Sequence, residues 1–311
     1  MSYAGPDFEP PRPRRVRRGP LTVALAALVP GALLGWLVYE AVASTGGGGR
    51  SGNAAVRSSA TSGASTPPPA SSRNDGKKPG AAPTDPSGSL KGKVVVIDPG
   101  HNPNNFQHTA EINRKVDIGT NKKECDTTGT STNDGYTEAA FTLDVAHRLR
   151  ALLEQQGATV KLTQDGDRPY GPCIDERAQI GNKAHADAVV SVHADGSGAG
   201  NRGFHVITPA AVHSGSADTR PIVAPSRSLG EHIAGSFARV TGSAPSNYVG
   251  GGTGLVTRED LGGLNLSTVP KVFIECGNMR DSKDAAQLTS GAWRQKAAQG
   301  ISEGIVSFLH G

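Results

Sequence analysis

Aromatic residues are scarce in this chain of 311 residues, at 5% of the total, and only three cysteines, two tryptophans and two methionines are present. Glycine (41) and proline (21) are abundant instead. Part of the chain therefore has too little to bury and is not expected to pack. No internal repeat is visible, and the length suits one large domain plus accessories. An overall basic surface is lacking too. Of the formal net charge of +4, Arg12, Arg14, Arg15, Arg17 and Arg18 against Asp7 and Glu9 place +3 in the first 20 residues, leaving +1 for the rest. The basic character belongs to a tail over 1–18, so no nucleic-acid partner is expected.

Charge is also missing from Gly19 to Tyr39, where Leu, Val and Ala dominate. At 1.5 Å per residue this run can cross a hydrocarbon core of roughly 30 Å. The arginines before it set the N-terminus inside. Two readings of 19–43 stand: an uncleaved single-pass anchor, or a signal peptide cut after Ala41-Val-Ala43. Both send the remainder outside the cytoplasm. Residues 44–90 are mostly Gly, Ser, Ala, Pro and Thr, including Gly46–Gly49 and Pro67–Pro69. Such a composition predicts a disordered tether.

Residues 91–311 read as an α/β domain with a mostly parallel central sheet and helices on both faces. Val94 to Ile97 is an unbroken apolar run, the pattern of a strand buried on both sides, and Pro99-Gly100 ends it just before His101. Ala188 to Val192 repeats the plan and delivers His193; Lys271 to Ile274 delivers Glu275. Open α/β sheets place ligands at such strand ends. Between the first strand and the first helix lies a polar segment, Asn102 to Asp134, read as an insertion or lid. Thr137 is a candidate cap, with Glu138 in the first turn and Phe141, Val145 and Leu149 on the apolar face. A strand over Thr159–Thr163, a helix over Ile174–His185, a strand over Gly203–Thr208 and a helix over Ser226–Val240 follow. A mobile loop is expected from Gly250 through Arg258 to Asn265. The last helix carries Trp293, Ile301 and Ile305.

Two imidazoles and a carboxylate are a common ligand set for catalytic zinc. His101 and His193 would supply nitrogen and Glu138 oxygen, with Glu275 beside the metal's water as general acid/base. Glu138 has a blander explanation in the helix macrodipole; its place one element after His101 makes it a candidate ligand. His147 falls on a solvent face. His108, His185, His213, His232 and His310 lack a strand-end setting, and His205, inside a strand, stays ambiguous.

Asp98-Pro-Gly-His101, Tyr136-Thr-Glu138, Ser191-Val-His193-Ala and Val272-Phe-Ile-Glu275-Cys-Gly-Asn278 together resemble the zinc-dependent N-acetylmuramoyl-L-alanine amidases of the Amidase_3 type, in an actinobacterial-like form. The resemblance covers about Lys93 to Leu309. It implies cleavage of the amide between the lactyl group of N-acetylmuramic acid and L-alanine of peptidoglycan. It also implies one Zn2+ on His101, Glu138 and His193, and Glu275 as the catalytic acid/base. Asn102-Pro103 stands where many relatives have Gly-Gly. No long autoinhibitory helix precedes Glu138, so the regulation of some relatives is not carried over.

Arg258 is a candidate contact for a peptide carboxylate, and equally a solvated loop arginine. Cys125 and Cys173, in loops of an exported domain, are expected to pair, leaving Cys276 as a small buried residue. A monomer is expected. Two other readings are a thiol amidase using Cys276 and a non-catalytic peptidoglycan-binding module. The intact ligand set with Glu275 favours the zinc enzyme.

Overall fold

Apolar runs without alternation belong to strands covered on both faces, and such runs form the middle of the sheet in the computed structural model, which describes residues 90–311. The strands are β1 (Val94–Pro99), β2 (Thr159–Leu162), β3 (Ala188–Asp195), β4 (His205–Pro209), β5 (Leu255–Arg258) and β6 (Lys271–Asn278), in the order β2-β1-β3-β6-β4-β5. β1 runs parallel to β2 and β3, β3 to β6, and β4 to β5. Within this sheet only the β6–β4 pair is antiparallel. Every residue of β3 and β6 is buried, whereas the edge strands β2 and β5 are half-exposed.

Among the described residues, the helices packed around the sheet are α1 (Glu138–Gln155), α2 (Ile174–Lys183), α3 (Val223–Thr241), α4 (Gly262–Asn265), α5 (Ser282–Leu288) and α6 (Gly291–His310). Successive strand side chains point to opposite faces. Val95, Ile97, Val190, Val192, Val272 and Ile274 meet Phe141 and Leu149 of α1, Ile233 and Phe237 of α3, and Ile301 and Ile305 of α6. Each such side chain contributes about 1.5–3 kcal/mol by leaving water. The other face carries smaller clusters, with Val96 and Val189 near Ile180 of α2, and Phe273 with Ile207 and Leu264 of α4. The remainder of that face is polar.

Several local expectations need revision. Leu90, assigned above to the tether, is buried in the main core, and its N–H donates to Gln156 O at 2.8 Å. The segment from Gly250 to Asn265 is not one loop: it contains β5, held by pairing with β4, and the single turn α4. The polar insertion is built as a short helix, Thr109–Ile112, and a hairpin of Lys115–Asp117 with Lys122–Glu124. A disulfide joins Cys125 to Cys173 across a Cα separation of 4.3 Å. Closing that 48-residue separation stabilises the fold by about 4 kcal/mol on chain-entropy grounds. The segment 19–43 and the tether up to residue 89 lie outside the described residues. Among the described residues no helix is long and apolar enough to cross a membrane.

α3 and α6 approach closely because α6 carries glycine at the contact. A Cβ at Gly304 would sit 2.5 Å from Ile233 Cα, while one at Gly235, on the exposed side of α3, would meet nothing within 4 Å. Gly304→Ala should therefore lower unfolding stability by about 1–3 kcal/mol. Gly235→Ala should raise it by about 0.5–1 kcal/mol. Urea denaturation of the two variants checks both signs.

Candidate metal centre

His101, Glu138 and His193 reach one point from three elements. His101 follows the carboxyl end of β1, Glu138 opens α1, and His193 lies near the end of β3. Thr137 caps α1 by accepting the Ala140 N–H, which fixes where the helix begins. On β3, Val190, Val192 and Ala194 enter the main core, so Ser191 and His193 face the opposite side. One ligand-capable atom from each of the three residues lies within 4.8 Å of the others, and all three residues are buried. Glu138 Oε1 is 3.2 Å from His101 Nε2 and 3.0 Å from His193 Nδ1.

The other ring nitrogens are held in ways that fix the tautomers. His101 Nδ1 faces Thr127 O at 3.1 Å, and a carbonyl can only accept, so the proton sits on Nδ1 and the Nε2 lone pair points inward. Ser191 Oγ donates to Asp98 Oδ2 at 2.6 Å and can therefore only accept from His193 Nε2 at 3.2 Å. That leaves the His193 Nδ1 lone pair facing the centre. Glu138 is 0% exposed. Burial alone would raise its carboxyl, but His101 and His193 outweigh it and hold the group well below the usual carboxylate range. Its Oε2 accepts Thr130 N–H at 2.9 Å and its Oε1 accepts Ala194 N–H at 3.2 Å. Gly129 (φ +73°) lets the wall pass close by: a Cβ there would lie 2.8 Å from both Glu138 and His101.

Two inward imidazole lone pairs and an ionised carboxylate, each steadied from behind, fit a divalent transition-metal ion with positions left for other ligands. Glu275 stands beside them, paired in register with His193 across β3 and β6. It is 4% exposed, and its Oε2 has no hydrogen-bond partner among the described residues. Burial, followed by the neighbouring Asp195, pushes its carboxyl well above the ordinary range, while Arg258 pulls it down. Cys276 lies on the other face of β6, inside the main apolar core. Burial raises its thiol, so it is not an available thiolate. Arg258 ends β5, with Nε and Nη2 on Asp260 at 2.7 and 2.6 Å.

A charged layer beneath the centre was not read from the sequence as functional. Asp98 accepts from Arg177 Nη1, Thr163 Oγ1 and Ser191 Oγ, each at 2.6 Å. Arg177 Nη2 also donates to Asp126 Oδ2 at 2.7 Å. Burial would raise Asp98, but Arg177 and then Lys271 hold it far below the usual range. Asp98 and Ser191 were in plain sight, three and two residues before the histidines they serve. The stretch from Arg177 to Asp187 supports the family resemblance without pointing to an ion pair, and Asp126 gives no signal beyond being polar. Asn102, which departs from the Gly-Gly of many relatives, is buried and anchors its loop through Arg168 O and Gly171 O at 3.2 and 3.0 Å.

The chain is similar to known proteins. The family described as N-acetylmuramoyl-L-alanine amidase, Amidase_3, matches residues 95–307. The N-acetylmuramoyl-L-alanine amidase Rv3717 of Mycobacterium tuberculosis is 40% identical over 226 residues, covering 71% of this chain and 88% of that protein. The crystal structure of the amidase Ami1 from Mycobacterium smegmatis superposes with a TM-score of 0.65 at 38% identity, over 71% of this chain and 98% of that one. Apo Ami1 from Mycobacterium abscessus gives a TM-score of 0.64 at 40% identity, over 71% and 100%. The N-acetylmuramoyl-L-alanine amidase AmiC2 of Nostoc punctiforme, at 22% identity and a TM-score of 0.52 over 72% and 99% of the two chains, shares the fold. Family match and relatives together establish that this chain belongs to the N-acetylmuramoyl-L-alanine amidase family of the Amidase_3 type.

Proposed function

We propose that this chain hydrolyses the amide between the lactyl group of N-acetylmuramic acid and L-alanine of peptidoglycan, with one zinc ion held by His101, Glu138 and His193. The observation that carries the reading is the convergence of three buried donor atoms within 4.8 Å beside a buried carboxyl with an unpartnered oxygen. Zinc in that site would acidify a bound water and polarise the scissile carbonyl. Glu275 takes a proton from the water as it adds to the carbonyl carbon, then passes it to the leaving nitrogen as the C–N bond breaks. The buried, unpartnered Oε2 of Glu275 suits a group that takes a proton from water and returns it to the leaving nitrogen. Cys276, facing the apolar core, does not suit the thiol alternative.

The surrounding organisation follows the same reading. Residues 19–43 hold the enzyme at the membrane or are removed on export, and 44–89 let the domain reach the wall. The Cys125–Cys173 bond suits a compartment outside the cytoplasm. Arg258 ends β5, level with the start of β6; in this reading it contacts a carboxylate of the stem peptide, and the domain acts as a monomer.

Chelation of zinc from the full-length protein should abolish release of intact stem peptide from muropeptide, and added zinc should restore it. Glu275→Gln should keep the metal and lose about 10²–10⁴-fold in kcat. Mass analysis of the products, with metal content measured alongside, decides; activity that survives zinc removal contradicts the reading. Ser191→Ala, which frees the far side of His193, should weaken zinc binding by about 10–100-fold. Competition against a chromophoric chelator measures this, and an unchanged affinity would show that Ser191 does not orient the ligand.

A further inference from the structure

A position inside a strand does not by itself assign His205 a role. In the sheet it lies directly opposite Glu275, which is itself opposite His193, so the three form a row across β3, β6 and β4. Their faces agree. Val206 enters the main core and Ile207 packs with Phe273 on the other side, so His205 shares the face of Ile207, Phe273 and Glu275. Directly opposed residues on one face of an antiparallel pair have Cβ atoms about 4.5–5.5 Å apart.

The imidazole of His205 is 5% exposed, and its Nδ1 is buried without a hydrogen-bond partner, as is Oε2 of Glu275. The two do not pair with each other, although they are neighbours. Leaving a buried polar atom unsatisfied costs about 1–3 kcal/mol, and a fold bearing two side by side is arranged around something that completes them. Burial, followed by the positive charge of Arg258, lowers the His205 imidazole to about 4, so at neutral pH it carries one N–H and one lone pair. The Tyr248 ring meets it edge-on at 5.9 Å, and Tyr248 is itself tied down by donating to Asp195 Oδ2 at 2.6 Å.

We propose that His205 is a second catalytic residue of the amidase reaction, its N–H receiving the negative charge that develops on the scissile carbonyl oxygen while Glu275 handles the proton. This rests on the amidase reading above. Water adds to the carbonyl carbon, the C–N bond breaks, and the products are the lactyl carboxylic acid and the free amine of L-alanine. His205 donates a hydrogen bond throughout and transfers no proton. A neutral donor fixed in a dry site is well suited to this, because it needs no reorganisation when the charge appears.

The test uses zinc-loaded full-length protein and a defined muropeptide. His205→Phe keeps the ring volume and the contact with Tyr248 but has no N–H; His205→Gln keeps a donor. The phenylalanine variant should lose about 10²–10³-fold in kcat with KM and zinc content unchanged, and the glutamine variant should recover part of that loss. His205→Ala should behave like His205→Phe, and it carries the test if the larger ring prevents folding. Three results would overturn the proposal: kcat near that of the wild type, a loss confined to KM, or a loss that tracks zinc depletion. If the wild type releases no peptide, the amidase reading has failed first; if it does and His205→Phe matches it, only the role of His205 falls.

Discussion

A carboxylate buried to zero exposure is the constraint on which the rest of the structure depends. Removing such a charge from water costs several kcal/mol even after relaxation. Glu138 is held by two imidazoles, the Thr130 and Ala194 N–H groups and the wall at Gly129. Those partners come from three stretches of chain, at 101, 129–130 and 193–194. The capped start of α1, the end of β1, the end of β3 and the disulfide-bound insertion must all be in register before the charge is tolerable. The insertion therefore acts here as a wall of the site, supplying Thr127 and Thr130, in contrast to the lid suggested by its polarity.

Beneath that layer, Arg177 neutralises two carboxylates at once. Asp98 reaches His193 through Ser191, and Asp126 stands 3.8 Å from His101 Nδ1. One guanidinium thus underlies both histidines. Its planar fork suits this bridging geometry, which a lysine could not reproduce. The same parity that sends Ser191, His193 and Glu275 to the polar face sends Val192, Ile274 and Cys276 into the core. The centre and the main hydrophobic core are opposite faces of the same strands, so packing on one side fixes the chemistry on the other.

How much of this was legible in the sequence follows from burial. β1, β3 and β6 are covered on both faces and announce themselves as apolar runs ending in His101, His193 and Glu275. α1 and α6 are long enough to show their periodicity. β5 is a four-residue, half-exposed edge strand paired in the sheet with β4 alone, and sequence pattern cannot separate that from a loop. α5 was missed because seven residues capped by Asp281 offer too short a period. The antiparallel placement of β4, and with it the pairing of His205 with Glu275, depends on long-range topology that no local pattern encodes. The candidate ligands His101 and His193 could be read because they sit beside strand ends, and Glu138 because it opens the next element; the contacts behind them could not, because nothing local pairs Arg177 with Asp98 and Asp126 until the fold brings them together.

The most direct test of the account is an anomalous difference map, at the zinc edge, from crystals of the zinc-loaded protein. The account predicts one strong peak bonded to His101 Nε2, His193 Nδ1 and a Glu138 carboxylate oxygen at about 2.0–2.2 Å, with Glu275 beside its remaining ligand. A peak elsewhere, or one from which any of those three side chains is turned away, would contradict it.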